Sequence, residues 1–301
     1  MNDAEWKLIY NEYNPEEETH REALCTLGNG YFTIRGVHED TTDDKYHYPG
    51  TYLAGGYNRL QSEVSGKVIE SEDFVNWPNP LLLKFKPEGD SWISIDEVRI
   101  LDYHQQLNIR EGVLERAIYF EDQAQRKWRL KSQRFVHMLY SHIAAIRWEL
   151  VSEDWSGKVN VMGAIDGRVI NNGVPRYREL SSQHLHRIQT HKFDDYGFSL
   201  EAETNQSRIR MAQSSKIHVN IEHGSNPVDR RWIEEENFIG EEISFEVEQN
   251  KKVTIDKLIS LYTSRDHAIS EPLIESQNAI LRAPGFEELL DSHSKTWDAL
   301  W

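Results

Sequence analysis

The sequence has 301 residues, of which 50 are acidic and 34 basic, giving a formal net charge of −16. A chain of this length buries a sizeable core, either as one large all-β domain or as two ordinary domains. Nucleic acids and anionic membranes bind to basic surfaces, so the charge argues against both as partners.

The single cysteine, Cys25, excludes an internal disulfide and fits a reducing compartment. The opening residues MNDAEWKLIY lack the basic and apolar regions of a signal peptide. The sequence also has no window that approaches the roughly 18 apolar residues needed to span a bilayer. We therefore expect a cytoplasmic protein.

The first distinctive stretch is LCTLGNGYFTIRG (24–36), with two glycines around an asparagine. A dinucleotide-binding loop would need a third glycine where Thr33 stands and a helix after it, and a P-loop would need Gly-Lys-Ser/Thr. The residues that follow are aromatic and β-branched, as in a strand. Gly28-Asn29-Gly30 is therefore interpreted as a tight turn before a strand, because Asn and Gly tolerate positive φ.

Over most of the chain the apolar residues recur with a period of two, which is typical of half-buried antiparallel strands. The alternating sets are Ile146, Trp148 and Leu150; Val159, Val161 and the 163–165 positions; Ile209 and Met211; Ile217, Val219 and Ile221; and Ile243, Phe245 and Val247. Turn signals separate them at 87–90, 111–112, 122–123, 166–167, 223–227 and 249–250. With no interleaved helices expected up to about residue 265, the pattern predicts a large antiparallel β-sandwich over residues 1–268.

Beyond residue 268 the pattern becomes helical. Ser270-Glu271-Pro272 predicts a helix start, with a helix running to Arg282. A second, amphipathic helix then carries one apolar stripe: Phe286, Leu289, Leu290, His293, Trp297, Leu300 and Trp301. We expect residues 269–301 to be a helical linker whose stripe is covered by a further part of a longer protein. The alternative is a terminal helix docked on the sandwich.

Side chains with catalytic potential form no distinctive pattern. Acid pairs such as Glu70/Glu72 or Asp194/Asp195 match by chance in so acidic a chain, and we identify no catalytic residue. His184 and His186 alternate on a possible strand, but the histidine and cysteine spacing predicts no metal site. Cys25, among apolar neighbours, is interpreted as a buried and inert thiol.

Seven segments in order resemble the N-terminal domain of glycoside hydrolase family 65, the family of maltose, trehalose and kojibiose phosphorylases. They are residues 22–36 with LGNGYFTIRG, PGTYLAGGYNRL (49–60), FVNWPNPLLLKF (74–85), YHQQLNIREGVLERAIYF (103–120), SQRFVHMLYSHIAAIRWEL (132–150), DGRVIN (166–171) and KLISLYTSRD (257–266). The closing His293, Trp297 and Trp301 resemble the helix before the family's catalytic barrel. The resemblance thus covers nearly the whole chain.

The resemblance implies a β-sandwich of the galactose-mutarotase-like superfamily, helical linkers and then a catalytic (α/α)₆ barrel that is absent from this chain. It further implies inverting phosphorolysis of an α-glucosyl disaccharide such as maltose, with inorganic phosphate as co-substrate and no cofactor. The general-acid glutamate would lie in the barrel, so this segment would be inactive alone. A homodimer is implied as well. The residues do not choose among maltose, kojibiose, nigerose and trehalose, or between a phosphorylase and a hydrolase.

Two predicted loops are flanked by Gly or Pro and carry aromatic and amide side chains of the kind found on surfaces. This composition suits the rim of a binding site or an interface. Their candidate residues are Tyr57, Arg59, Asn76, Trp77 and Asn79. We expect these loops to pack against the barrel or a second subunit and to wall the substrate entrance. The alternative is an internal corner of the sandwich, with Trp77 packed between sheets.

Two other functions remain open at this stage. One is a self-contained aldose epimerase-like enzyme, which needs a glutamate base opposed to a histidine acid; His184, His186 and Glu179 are the first candidates. The other is a free-standing carbohydrate-binding module, which would expose several tryptophans on one face.

Overall fold

A computed structural model of the chain describes residues 3–171, 181–222 and 228–301. The strands are, in chain order, β1 (Lys7–Tyr10), β2 (Leu27–Gly28), β3 (Phe32–Ile34), β4 (Thr51–Leu53), β5 (Tyr57–Val64), β6 (Lys67–Phe74), β7 (Leu83–Pro87), β8 (Arg99–Asn108), β9 (Val113–Glu121), β10 (Lys127–Val136), β11 (Ile143–Ser152), β12 (Gly157–Asp166), β13 (Leu185–Phe193), β14 (Gly197–Thr204), β15 (Arg210–Ile221), β16 (Asp229–Glu235), β17 (Phe238–Val247) and β18 (Lys252–Thr263). The α-helices are α1 (Pro15–Leu24), α2 (Pro272–Arg282) and α3 (Phe286–Leu300).

Two antiparallel sheets form the sandwich. The larger has nine strands in the order β1-β8-β9-β10-β11-β18-β15-β14-β13, and the smaller has four in the order β16-β17-β12-β7. Two small sheets, β2-β3-β4 and the hairpin β5-β6, complete the described strands. The predicted mainly-β antiparallel sandwich is confirmed, and the turns predicted at 87–90, 111–112, 122–123 and 249–250 lie between strands. The turn predicted at 223–227 lies outside the described residues.

The core lies between the two sheets, where the period-two residues meet. Ile146, Trp148 and Leu150 of β11 are buried there and pack in one cluster with Val159 and Phe245 of the smaller sheet. The intervening positions of β11 point the other way, as alternation along a strand requires. The sequence pattern therefore predicts both the strand and the face of the strand that is buried.

A buried lysine joins the two sheets. Lys257 of β18 in the larger sheet donates from Nζ to the carbonyl oxygens of Leu82 at 2.9 Å and Ala164 at 2.8 Å, and Ala164 lies on β12 of the smaller sheet. Burial lowers the pKa of Lys257 to about 7. The carbonyl groups thus satisfy an amine that is fully buried.

The outer face of the nine-stranded sheet is covered by α2 and α3. Phe286 and Leu289 of α3 are buried in one cluster with Phe135 of β10, and the His293 ring stacks on Phe135 at a centroid distance of 4.8 Å. The sheet of the chain itself therefore covers the first turns of the predicted stripe. The expectation that a further part of the protein covers these three side chains is wrong, since this chain already buries them.

Helix α1 corrects the expectation that no helix precedes residue 265. Asn14 caps it by accepting a hydrogen bond from the Glu16 amide at 3.2 Å, and Pro15 occupies the first turn. Acids at 16, 17 and 18 favour the positive end of the helix dipole. These start signals were present in the sequence but lay outside the period-two pattern on which the prediction relied.

Candidate functional site

The opening Gly28-Asn29-Gly30 forms the turn of a hairpin, as predicted. Gly28 pairs with Thr33 across β2 and β3, and Gly30 has a φ of +86°. The Asn29 side chain accepts from the amides of Tyr31 at 3.0 Å and Phe32 at 3.2 Å, so the turn is closed by its own asparagine. No helix follows within this hairpin, which agrees with rejecting a phosphate-binding loop.

This turn is also held by distant segments. The Asn29 amide nitrogen donates to the carbonyl oxygens of His137 at 2.8 Å and Ser141 at 2.9 Å. The Tyr31 hydroxyl donates to Asp266 at 2.6 Å. Three of the seven motif segments, those beginning at residues 22, 132 and 257, therefore meet through side-chain hydrogen bonds.

Three further motif segments meet at what we call the loop junction, formed by residues 49–56, 75–80 and 166–171. The Asn76 carboxamide accepts from the Thr51 amide at 3.0 Å and donates to the Pro49 carbonyl at 3.0 Å. The Asn76 backbone amide donates to the Asn171 side chain at 2.9 Å. One buried asparagine thus links all three loops, and it is one of the predicted site residues.

Trp77 and Asn79 are also part of the junction. Trp77 is fully buried, and its backbone amide donates to the Thr51 carbonyl at 2.9 Å. Asn79 pairs with Asp166 through two backbone hydrogen bonds of 2.8 and 2.9 Å. The burial of both side chains corresponds to the internal-corner interpretation, which leaves the Trp77 ring no surface for a ligand. A contact of these loops with another domain or subunit stays a prediction.

Tyr57 and Arg59, the other two predicted site residues, lie on the exposed side of β5. The Tyr57 side chain is 48% exposed and its ring lies 5.1 Å from that of Phe74. Arg59 pairs across the hairpin with Glu72 at 2.7 Å and Glu70 at 3.6 Å. Both are accessible, as a role at a binding rim requires, and that role stays a prediction.

A pocket of about 250 Å³ opens beside the junction, with Asn76 and Asn79 in its lining. It also contains Arg168, whose guanidinium binds both carboxylate oxygens of Asp166 at 2.8 and 3.0 Å and Glu235 at 3.1 Å. Because this cation is already paired with two carboxylates, the pocket favours an uncharged polar group over an anion.

The interior between the sheets holds a buried charge cluster. Glu39 accepts from Arg134 at 2.9 Å, from Arg116 at 3.2 Å and from the Trp148 indole at 3.4 Å. Burial raises the pKa of Glu39, but Arg134 and Arg116 outweigh it, and the net shift is downward. The cavity beside the cluster measures about 20 Å³, which is room for about one water molecule. A sugar cannot enter here, so the cluster is structural.

A second group of ionisable side chains has the spacing of a metal site. Oxygen and nitrogen atoms of Asp44, His47 and Asp96 lie within 4.8 Å of one another. Both ring nitrogens of His47 are already hydrogen-bonded, however: Nδ1 to the Glu22 carboxylate at 2.8 Å and Nε2 to the Asp96 carboxylate at 3.2 Å. Burial opposes the charge on this ring, but these two hydrogen bonds outweigh it and raise the pKa of His47 to about 10. Because both ring nitrogens already have partners, we interpret this group as an ion-pair network around a buried imidazole.

The epimerase candidates do not form one site. His184 is buried and bonded to Asn58 at 3.0 Å, whereas the half-exposed His186 bonds to Arg208 at 3.1 Å. Glu179, the third candidate, lies outside the described residues. The two imidazoles, which would share a face if both lay on one strand, differ in burial and in partners, and only His186 lies on β13, since that strand begins at Leu185.

Comparison with known proteins agrees with the fold and with the motifs. The family model for the glycosyl hydrolase family 65 N-terminal domain matches residues 8–300. An uncharacterized glycosyl hydrolase of Mycobacterium tuberculosis is 34% identical over all of this chain and 23% of its own length. A kojibiose phosphorylase of Caldanaerobacter subterraneus subsp. tengcongensis is 30% identical over all of this chain and 38% of its own length.

A solved structure, described as a putative kojibiose phosphorylase from the human microbiome, superposes with a TM-score of 0.81 over 99% of this chain and 38% of that one. At 17% identity this likeness shows the fold alone. Among the described residues, no helix combines the length and apolar character that crossing a bilayer requires. The chain spans about a quarter to two fifths of the length of these relatives, and it belongs to glycosyl hydrolase family 65 as that family's N-terminal domain.

Proposed function

We propose that this chain is the non-catalytic N-terminal domain of a cytoplasmic, inverting disaccharide phosphorylase. The observation that carries the proposal is the family match over residues 8–300, combined with a named phosphorylase relative of which the chain covers 38%. The remaining length of such a relative leaves room for a separate catalytic domain. The expected partners are therefore that domain and a second copy of the protein.

The reaction of the parent protein would be phosphorolysis of an α-glucosyl disaccharide to glucose 1-phosphate and glucose. Inorganic phosphate would attack the anomeric carbon from the face opposite the leaving sugar, and a glutamate of the catalytic domain would protonate the leaving oxygen. Maltose is the example that the family resemblance suggests, and the residues of this chain do not choose among maltose, kojibiose, nigerose and trehalose. Kojibiose is an equally direct choice, because the relative at 30% identity is a kojibiose phosphorylase.

Within this chain, the loop junction would hold its three loops in a fixed position against the catalytic domain. Its loops are linked by buried amide hydrogen bonds, so they can hold a surface in place against a neighbouring domain. The exposed Tyr57 would lie at the edge of the substrate entrance.

The test uses the 301-residue chain and the parent protein side by side. Each is incubated with maltose, kojibiose, nigerose or trehalose, with and without inorganic phosphate, and the products are followed by proton NMR. We expect the parent protein to release β-glucose 1-phosphate only when phosphate is present, and the chain alone to release nothing. Phosphate-independent hydrolysis, an α-anomeric product, or activity of the chain alone would overturn the proposal.

The rim hypothesis has its own test. Tyr57→Ala in the parent protein is expected to raise KM several-fold or to weaken assembly, whereas Tyr140→Ala, at a similarly exposed tyrosine (46% against 48%), serves as the control. If both variants leave KM and the oligomeric state unchanged, Tyr57 has no part in the entrance.

A further inference from the structure

Two buried histidines lie where helix α3 contacts the nine-stranded sheet, and we call them the imidazole pair. His137 follows β10, His293 lies in the middle of α3, and both residues are 0% exposed. Their ring centroids are 5.6 Å apart, and the His293 ring also stacks on Phe135. Because an imidazole can ionise near neutral pH, two buried rings at one helix contact make that contact a candidate for control by protons.

The hydrogen bonds of His137 require its neutral form. Its Nδ1 accepts from the amides of Leu139 at 3.0 Å and Tyr140 at 2.9 Å, so this nitrogen carries a lone pair and no proton. Its Nε2 lies 3.0 Å from the hydroxyl of Ser292 on α3. That hydroxyl donates its own proton to the Glu288 carbonyl at 2.9 Å, and it therefore accepts the Nε2 proton. His137 thus joins the turn after β10 to helix α3 as a neutral imidazole.

His293 makes the reciprocal link, from the helix to the turn. Its Nδ1 accepts from the Met138 amide at 3.1 Å, and its buried Nε2 has no hydrogen-bond partner among the described residues. A proton added to Nδ1 of either ring would turn an acceptor into a donor that faces backbone N–H groups. The three amide hydrogen bonds would be lost, and two cationic rings would lie 5.6 Å apart.

The charged side chains around the imidazole pair are engaged elsewhere. The ionisable groups on the surrounding elements are Glu287, Glu288, Asp291, Lys295 and Asp298 of α3, Arg110 and Glu111 of the β8-β9 turn, Glu115 of β9, Arg147 of β11, Asp256 of β18, and Tyr140 and His142 of the β10-β11 turn. Arg147 binds Asp256 at 2.6 Å and also Glu287, and Asp291 binds Lys295 at 2.6 Å. In the described part of the chain, none of these carboxylates forms an ion pair with either ring. A charge on the pair would therefore be buried without an anion to balance it.

Burial sets the direction of the pH effect. It lowers the pKa of His137 to about 4, reinforced by the neighbouring His293 and opposed by the Leu289 carbonyl. It lowers the pKa of His293 to about 4 as well, against the carbonyls of Glu111 and Gly112. Because the ordinary value is 6.5, the released rings bind protons more tightly than the docked rings, so acid favours release. The docked helix is therefore most stable above about pH 6.5 and loses stability as the pH falls towards about 4.

We propose that the imidazole pair is an acid-sensitive contact, which holds helix α3 on the sheet at neutral pH and releases it when the rings are protonated. The same protons open the turn after β10, whose His137 and Ser141 carbonyls accept from Asn29 of the opening hairpin at 2.8 and 2.9 Å. Release of α3 therefore also removes support from the first motif. The inference rests on the contacts of the docked helix and does not depend on the proposed function.

Hydrogen–deuterium exchange of the 301-residue chain, resolved by mass spectrometry, measures the release. A ring with a pKa of about 4 when docked and about 6.5 when released makes release roughly 20-fold easier at pH 5 than at pH 7. After correction for the intrinsic pH dependence of exchange, we expect the protection of residues 286–298 to fall at least about tenfold, while β11 and β18 keep theirs. Unchanged protection of α3, or an equal loss in β11 and β18, would overturn the proposal.

Asparagine substitutions separate protonation from packing. The Oδ1 atom of asparagine takes roughly the place of the imidazole Nδ1 and accepts hydrogen bonds, but it does not ionise. The double variant His137→Asn/His293→Asn should therefore show the same protection of α3 at pH 5 and pH 7, to within about twofold. The control His186→Asn, at a half-exposed histidine of β13, should keep the acid loss of the wild type. An acid loss in the double variant as large as in the wild type would refute the role of the pair.

NMR titration of the imidazole resonances of the wild type gives a second measurement, which applies even if the double variant does not fold. We expect His137 and His293 to titrate with midpoints well below 6.5, together with the loss of the α3 signals of the docked state. Midpoints near 6.5 for both rings would contradict the burial argument on which the acid-sensitive contact depends.

Discussion

Neutralising Glu39 tests the energetics of the charge cluster inside the sandwich. Glu39→Gln keeps the shape of the side chain but leaves the guanidinium groups of Arg116 and Arg134 without their shared anion, which lies 3.2 and 2.9 Å from them. Removing one partner of a buried ion pair costs about 3–5 kcal/mol, because the remaining charge stays desolvated. Unfolding entropy near 2.1 cal/mol/K per residue gives about 0.6 kcal/mol per degree for this chain. We therefore expect Tm to fall by roughly 5–8 °C.

The assay is thermal unfolding of the 301-residue chain at neutral pH, followed by circular dichroism. Glu70→Gln is the matched control, since Glu70 pairs with Arg59 at 3.6 Å with about half of its side chain exposed. Exposed pairs contribute little, so the control should move Tm by less than about 2 °C. If Glu39→Gln lies within 2 °C of the control, the assumption that the cluster stabilises the core through charge is refuted.

A double variant separates charge from packing. Arg134→Met removes one of the two cations, so Glu39→Gln should cost less in that background than in the wild type. Additive losses in the double variant would mean that Glu39 and Arg134 act independently, contrary to their 2.9 Å contact.

Three further predictions concern other parts of the fold. The folded pKa of His47, about 10, lies above its unfolded value near 6.5, so its stabilising effect is complete below pH 6.5 and is lost as the pH rises towards 10. Between pH 6.5 and 10, Tm of the wild type should therefore fall several degrees more than Tm of His47→Gln. Parallel Tm profiles of the two proteins would contradict this. Gly112→Ala should lower Tm by several degrees and change the tryptophan fluorescence, because Gly112 has a φ of +63° and a Cβ there would collide with the Trp297 indole. An unchanged fluorescence spectrum would show that the Trp297 indole does not pack on this turn. Asn76→Ala should cost about 1–3 kcal/mol in urea unfolding by leaving the buried Thr51 amide unpaired, and a loss of under 0.5 kcal/mol would mean that water replaces the carboxamide.

The sandwich was predictable from local pattern, because alternation along a strand is a property of neighbouring residues. Ile146, Trp148 and Leu150 identify both the strand and its buried face without any knowledge of the partner strand. Helix α1 carried its signals in Asn14 and Pro15, and it was missed because a single short helix does not alter the overall period. The docking of α3 could not be read from its stripe, which looks the same whatever covers it.

The candidate sites were less predictable, since they depend on contacts between distant residues. His184 stands out in the sequence only as one histidine among thirteen. Its burial against Asn58, 126 residues earlier, follows only from the fold. Similarly, the sequence leaves a binding rim and an internal corner open for Trp77, and only the fold places its ring in the main hydrophobic cluster.

The hydrogen bonds that close the opening hairpin have a consequence for how the chain folds. Asn29 bonds to residues more than 100 positions away, and Tyr31 to Asp266, 235 positions away. The Tyr31 bond cannot form until Asp266, which follows β18, is in place, so the first motif gains this contact only after the last strand has been added. Chains dominated by distant pairings fold slowly, on the scale of milliseconds to seconds for small β domains and more slowly for larger ones. A ribosome that has not yet released residue 266 therefore carries a nascent chain whose amino-terminal hairpin still lacks its final support.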